Sequence, residues 1–320
     1  MMKIVLFGSD FFSIALFEKI FEDHFEIVGV VTSPDGLRGR NQKFEMAPVK
    51  KWLLDRKFQK PILQPEKASA PPFLTELASL GADLYVVVSY GQILKQALLD
   101  IPPLGVINVH PSLLPLFRGP SPVESAILSG VKETGVTIMQ MALLMDAGDI
   151  LARKAFPIEA EDDRETMYKK AASYGYVLLK DILDALLRDL TVPKWPQEHE
   201  RATYTRKFTT SDFKLDLDRP YEEIERRVRA FKPKPGAYLE VEIGGDLKKW
   251  KILAVEKAAP QGSVPPGTIL EFTKGRFAIS CKDGAFCVVV LQPEGKKVMD
   301  ALAFYNGFRE KTFHIKKSNN

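Results

Sequence analysis

With 320 residues, 45% of them hydrophobic, the chain is long enough for two domains with sizeable cores and too apolar for wholesale disorder. Cys281 and Cys287 come with no CxxC pair or histidine cluster, which argues against zinc, and no apolar run approaches the ~20 residues of a membrane span. The net charge of +4 is unevenly spread: residues 206–320 carry 22 Lys and Arg against 15 Asp and Glu, whereas residues 1–205 carry 23 against 26.

Read in chain order, the first half alternates strands and helices. Lys3–Phe7 predicts a strand, Gly8-Ser9-Asp10 a turn, and Phe12–Phe21 an amphipathic helix. The N-terminus lacks the long apolar core of a signal peptide, so the cytoplasm is the expected compartment. Ile27–Thr32 predicts a second buried strand, Val49–Leu54 and Pro72–Leu80 helices, Leu84–Val88 a third strand and Gln92–Leu99 a helix. Gly105–Val109 follows as a strand, Val123–Leu128 as a helix, Val136–Met141 and Ile150–Phe156 as strands, and Met167–Leu190 as a long helix. This alternation predicts an α/β first domain over residues 1–190: a mostly parallel, Rossmann-like sheet with helices on both faces.

Residues 191–210 lose the pattern and read as a linker over the surface. Residues 211–320 open with a helix over Tyr221–Phe231. Short strands follow at Ala237–Ile243, Lys249–Val255, Thr268–Phe272, Arg276–Ser280 and Phe286–Gln292. Five short strands with polar turns suggest a small β-barrel of the oligonucleotide-binding kind. Its positive charge fits either a polyanion partner or an ordinary solvated surface.

The chemistry concentrates in Asn108-Val109-His110-Pro111-Ser112-Leu113-Leu114-Pro115 and in Met145-Asp146-Ala147-Gly148-Asp149. On a strand, Asn108 and His110 leave the same face, and Pro111 ends the ladder, so His110 sits where a loop opens at the carboxyl edge. Asn can polarise a carbonyl, His can move a proton near neutral pH, and Asp can orient that His. A plain turn is the competing reading of Asp146, and spacing alone does not decide it. The first strand-turn-helix has only Gly8 where a dinucleotide fingerprint needs three glycines, so NAD is not expected. No metal is expected either, because neither HExxH nor an EF-hand loop is present. Residues 33–43 form a polar, basic segment after the second strand. They read as a surface loop or as one that orders on a phosphate backbone through Arg38, Arg40 and Lys43.

The chain resembles the methionyl-tRNA formyltransferases, within the folate-dependent formyltransferases. In the first half the resemblance rests on Ser89–Leu94, Asn108–Pro115, Arg118-Gly119, Thr134–Gln140 and Met145–Asp149. In the second half it rests on Ile224–Phe231 with Pro233–Pro235, Pro266–Leu270 and Leu291–Met299. It implies transfer of the formyl group of 10-formyltetrahydrofolate to the methionine amine of initiator methionyl-tRNA. In that reaction Asn108 would donate to the oxyanion, His110 would assist proton transfer, and Asp146 would orient His110. Ser112, Leu113, Leu114 and Pro115, with the backbone of Gln92, Ile93 and Leu94, would line the folate pocket. Arg40 falls in the tRNA-contacting insertion, flanked by Arg38 and Lys43, and Lys296 and Lys297 fall in the tRNA-binding barrel. A monomer is the expected state. The sequence departs from the family pattern at Asp10-Phe11, at Lys95 and in the low basic content of residues 39–46. The rival reading is a formyltransferase acting on a UDP-aminosugar, which shares the two-domain plan but has no need of a basic second domain. An RNA-binding protein with an inactive enzyme domain would leave the Asn108, His110 and Asp146 arrangement unexplained.

Overall fold

Strand β1, Lys3–Gly8, is buried at every position after Lys3, the signature of a central strand covered on both faces. The computed structural model describes residues 2–38, 43–259, 264–273 and 275–316. After β1 come helix α1 (Phe11–Phe21), strand β2 (Glu26–Val31), the short hairpin β3 (Gly36–Arg38) and β4 (Lys43–Glu45), and helix α2 (Pro48–Asp55). Strand β5 (Ile62–Leu63), helix α3 (Pro71–Ser79), strand β6 (Leu84–Val88), the single turn α4 (Gln96–Leu99) and strand β7 (Val106–His110) follow. Helix α5 (Pro122–Ser129), strands β8 (Glu133–Gln140) and β9 (Ile150–Pro157), and helix α6 (Arg164–Leu187) complete this half.

These strands form one seven-stranded sheet in the order β5-β2-β1-β6-β7-β8-β9. Pairing is parallel from β5 to β7 and antiparallel from β7 to β9. The chain winds outward from β1 to β5 and then returns to lay β6 on the other side of β1. The carboxyl ends of β1 and β6 therefore flank a topological switch point, where open α/β sheets leave a crevice. Ser13 on α1 ties the two strands together there, its Oγ donating to the Val88 carbonyl at 2.6 Å.

Two helices of this half depart from the sequence expectation. The helix expected over Gln92–Leu99 is only the turn α4. Residues 92–95 stay outside the helix, and Gln92 bonds the loop before α3 instead: its Oε1 accepts from Ala68 N at 2.9 Å and its Nε2 donates to the Pro65 carbonyl at 3.0 Å. Helix α6 begins at Arg164 rather than Met167 because the Asp163 carboxylate caps it, accepting from the amides of Glu165 and Thr166.

The chain divides into two units. The first comprises Met1–Pro122, Glu133–Pro157 and Tyr168–Arg206. The second comprises Val123–Lys132, Ile158–Met167 and Lys207–Asn320. Residues 191–206 are part of the first unit: Trp195 pairs with Ile150 by backbone bonds in both directions, 2.8 and 2.9 Å.

In the second unit, helix α7 (Tyr221–Phe231) precedes strands β10 (Ala237–Ile243), β11 (Asp246–Ala258), β12 (Ile269–Thr273), β13 (Arg276–Cys281) and β14 (Gly284–Pro293). Strand β15 (Met299–Asp300), helix α8 (Ala301–Phe308) and strand β16 (Phe313–Ile315) close it. The strands make a nearly closed antiparallel barrel in the order β12-β13-β14-β11-β10-β16. Its centre is Trp250, 1% exposed, with the rings of Phe304 and Phe313 within 5 Å, at 4.8 and 4.9 Å. Both β16 and α8 lie outside the sequence expectation. Helix α8 contains Asn306-Gly307, a poor helix-forming pair, and is held by burying Phe304 and Phe308.

Candidate active site

All five residues of β7 are buried, and two of them, Asn108 and His110, are polar. Alternation along the strand sends both side chains to one face, where a cleft of ≈ 290 Å³ opens at the carboxyl edge of the sheet. Residues 89–93 form one wall of the cleft, Asn108–Pro111 its floor, and Gly119, Pro120, Met141, Met145 and Asp146 the opposite wall.

Asn108 is 9% exposed, and its side chain bonds to no described residue. A buried amide without a partner is costly unless something else supplies one. Here the amide borders the cleft, so its N–H donors are available to a bound substrate.

His110 is 4% exposed. Its Nε2 lies 3.0 Å from the Phe117 carbonyl. A carbonyl only accepts, so Nε2 carries the hydrogen, and Nδ1 is the nitrogen left to exchange a proton. That nitrogen faces Asp146 Oδ2 at 3.8 Å, an ion-pair separation longer than a hydrogen bond. The same Oδ2 accepts from the Gly119 amide at 2.7 Å. Asp146 thus stands beside His110, while the ring orientation is set by the Phe117 carbonyl.

Backbone strain gathers here. Among the described residues five that are not glycine have positive φ. Three of these serve the cleft: Ser89 and Asp146 line it, and Phe117 holds His110. Left-handed backbone costs such residues about 1–2 kcal/mol each and persists where the surroundings over-determine it. Ser89 is held by its Oγ donating to Asp10 Oδ2 at 2.6 Å, and Ser9 Oγ donates to the Tyr90 carbonyl at 2.9 Å. Asp10, one of the departures from the family pattern, therefore both caps α1 and braces this wall. Tyr90 also lines the cleft; burial pushes its phenol well above the usual range, and its hydroxyl lacks a partner among the described residues.

The other residues singled out from the sequence are placed as follows. Gln92 and Ile93 line the cleft, Gln92 with its side chain committed to the 65–68 loop and Ile93 76% exposed. Leu94 is buried in the core between β6 and α3. The cleft does not include Ser112, Leu113, Leu114 or Pro115. Ser112 Oγ donates to the Leu116 carbonyl, Leu113 lies against Gly135, Leu114 packs on Met139 and Ile150, and Pro115 lines a separate hollow with Trp195 and Arg153. Arg38 and Lys43 pair across the β3–β4 hairpin, and Arg40 lies outside the described residues. Lys296 and Lys297 are exposed in the turn between β14 and β15, with no ion-pair partner among the described residues. Among the described residues no group of three or more His, Cys, Asp or Glu is placed to hold a metal ion, and no helix is long and apolar enough to cross a membrane.

Some contributors carry no readable signal in the sequence. The Phe117 carbonyl and the Gly119 amide are backbone groups, and Gln197 reaches the site from a segment whose apolar periodicity has lapsed.

Residues 2–183 match the family model described as formyl transferase, and residues 207–309 match formyl transferase, C-terminal domain. A methionyl-tRNA formyltransferase of Roseiflexus sp. (strain RS-1) is 40% identical over 310 residues, 96% of this chain and 93% of the relative. The methionyl-tRNA formyltransferase of Lactobacillus acidophilus is 37% identical, covering 96% of each chain. Among solved structures, HypX from Aquifex aeolicus in complex with tetrahydrofolic acid aligns with a TM-score of 0.66 at 18% identity, over 97% of this chain and 48% of that one. The N-formyltransferase from Helicobacter canadensis, with folinic acid and dTDP-3-aminofucose, aligns at 0.61 and 19% identity over 92% of this chain and 100% of that one. At those identities the structures speak to the fold alone; the sequence relatives show that the chain belongs to the formyltransferase family, among the methionyl-tRNA formyltransferases.

Proposed function

We propose that the cleft transfers the formyl group of 10-formyltetrahydrofolate to the α-amine of initiator methionyl-tRNA, with Asn108, His110 and Asp146 carrying the chemistry. The observation that carries this assignment is the uncommitted Asn108 amide beside His110, on the floor of one cleft. Amine attack on the formyl carbon puts negative charge on the formyl oxygen and positive charge on the nitrogen. Asn108 is the donor for that oxygen, a role in which a single preorganised group is worth about 10²–10³ in rate. His110 Nδ1 takes the proton that the attacking nitrogen must lose, and the Asp146 carboxylate beside it compensates the charge that the ring then carries. Collapse of the tetrahedral adduct breaks the bond to N10, and tetrahydrofolate leaves with a proton. Holding donor and acceptor together supplies the rest, since aligned reactants reach effective molarities of about 10⁵–10⁸ M.

The formyl donor binds along the wall formed by residues 89–93, with the backbone of Gln92 and Ile93 as polar contacts. The tRNA is held by positive charge, with Arg38, Arg40, Lys43, Lys296 and Lys297 as the contacts. The acting species is a monomer working in the cytoplasm. The assay is formyl transfer from 10-formyltetrahydrofolate, run in parallel with methionyl initiator tRNA and with a UDP-aminosugar. Formylation of the tRNA alone is the expected result, and formylation of the sugar alone would overturn the assignment.

A further inference from the structure

Arg118 is 2% exposed, and no carboxylate among the described residues pairs with it. Its guanidinium instead donates to Gln197 Oε1 from Nε and Nη2 at 3.2 and 2.7 Å, to Tyr204 Oη at 3.2 Å and to His199 Nδ1 at 3.0 Å. Burying a cation among neutral acceptors is costly, and an apolar side chain would fill the same volume at less expense. What the cation does here is polarise Gln197. Two charge-assisted bonds on Oε1 make the Nε2 hydrogens stronger donors. Those hydrogens go to the carbonyls of Asp146 at 2.9 Å and Gly148 at 2.7 Å.

The two carbonyls belong to the loop that aims the Asp146 carboxylate. Asp146 has φ +51°, and a Cβ on Gly148 would lie 1.9 Å from the Gln140 carbonyl oxygen, so the loop has one close-fitting path. The segment that supplies Gln197 also straps the other side of the site. Arg118 N donates to the Thr203 carbonyl and Thr205 N to the Arg118 carbonyl, at 2.9 and 2.7 Å. Arg118 lies between Phe117, whose carbonyl grips His110, and Gly119, whose amide grips Asp146.

We propose that Gln197 is a positioning residue for formyl transfer: polarised by Arg118, it fixes the Asp146 loop so that the carboxylate stands beside His110. This rests on Asp146 and His110 being the proton-handling pair. The test is Gln197→Glu in the full chain, assayed with methionyl initiator tRNA and 10-formyltetrahydrofolate. Glu keeps an acceptor for Arg118, replaces the donors to the two carbonyls with a carboxylate oxygen that repels them, and adds a negative charge. The expected result is a fall in kcat of about tenfold with each KM within about threefold, and a further loss of less than about twofold when Asp146→Asn is already present. An unchanged kcat, a loss confined to KM, or the same tenfold loss in the Asp146→Asn background each overturns the proposal. Near-normal turnover in Asp146→Asn alone removes the underlying pair as well, whereas an impaired Asp146→Asn with a normal Gln197→Glu removes Gln197 only. If thermal melting shows Gln197→Glu unfolded, Gln197→Met fills the same volume without the charge and is read by the same outcomes.

Discussion

Asn108 and His110 share a strand face but differ in how they are held. Every polar contact of the His110 ring is to a residue outside its own strand, and the Asn108 amide bonds to no described residue. A side chain with no protein partner contributes little to the folded state, so its removal falls on the reaction rather than on stability. Asn108→Ala is expected to lower kcat by about 10²–10³ with an almost unchanged melting temperature. Steady-state kinetics beside thermal melting checks this, and turnover within a few-fold of the parent would take Asn108 out of the mechanism. His110→Ala is expected to cost about 10²–10⁴ in kcat, and to lower the melting temperature as well because it leaves the Phe117 carbonyl without its donor. Parental turnover in that variant would mean that another base removes the proton. At this scale the period of two along a strand made the Asn108 and His110 pairing legible. The Phe117 carbonyl, the Gly119 amide and Gln197 were not, because backbone groups and partners 79 residues away leave no periodic trace in the sequence.

The elements were legible where local pattern and tertiary packing agree, as in β1, β6 and α7. They were not where one interaction decides, as the Asp163 cap does for α6, or where residues 92–95 stay outside the helix and Gln92 bonds the loop before α3. Within the stretch expected as a surface linker over 191–210, Trp195 pairs with β9 and Gln197 bonds the Asp146 loop, contacts that apolar periodicity does not announce. Asp35, at the exit of β2, is a similar single-residue brace. Its carboxylate accepts from Ala47 N at the start of α2, from Lys50 Nζ and from Gln64 Nε2, at 2.9, 2.5 and 2.8 Å. The Lys50 bond, with the Ala47 and Gln64 donors, holds the carboxyl down at about 2. A carboxyl depressed in the folded state stabilises fully above its unfolded value, about 3.9, and this contribution is lost as pH falls through the folded value. Asp35→Asn is therefore expected to melt below the parent at pH 6, and the two melting curves to converge on titrating from pH 4 to pH 2. A gap that stays constant over that interval would show that the brace does not act through its charge.

At the scale of the chain, the proposed chemistry and the excess of positive charge fall in different stretches of sequence. The cleft is built within the first unit, while residues 206–320 carry the excess of Lys and Arg. The barrel within residues 206–320 presents those charges, and Trp250 is the largest fully buried side chain of its core. Removing so large a buried ring costs about 3–5 kcal/mol, so Trp250→Ala is expected to lower the midpoint of denaturant unfolding for the barrel; an unmoved midpoint would place the barrel's stability elsewhere.

In the proposed reaction, charge presented in this way would act by releasing counterions from tRNA, and its signature is the dependence of affinity on salt. The Lys296-Lys297 turn is exposed, and neither lysine is neutralised by an ion pair among the described residues. The barrel's other exposed lysines are often paired, as Lys257 is with Glu222 and Lys316 with Glu242. An unpaired lysine contributes its full charge to a phosphate, whereas a paired one must first give up its carboxylate. Replacing both Lys296 and Lys297 by Ala should flatten the plot of log affinity against log salt by about 2, roughly one for each lysine that no longer meets a phosphate. Replacing Lys257 and Lys316 should flatten it by less. kcat at saturating tRNA should stay at the parental value in both variants, since none of these lysines lines the cleft. A slope unaltered by the Lys296 and Lys297 changes would mean that this turn does not meet the tRNA, and that the barrel's charge acts through another face.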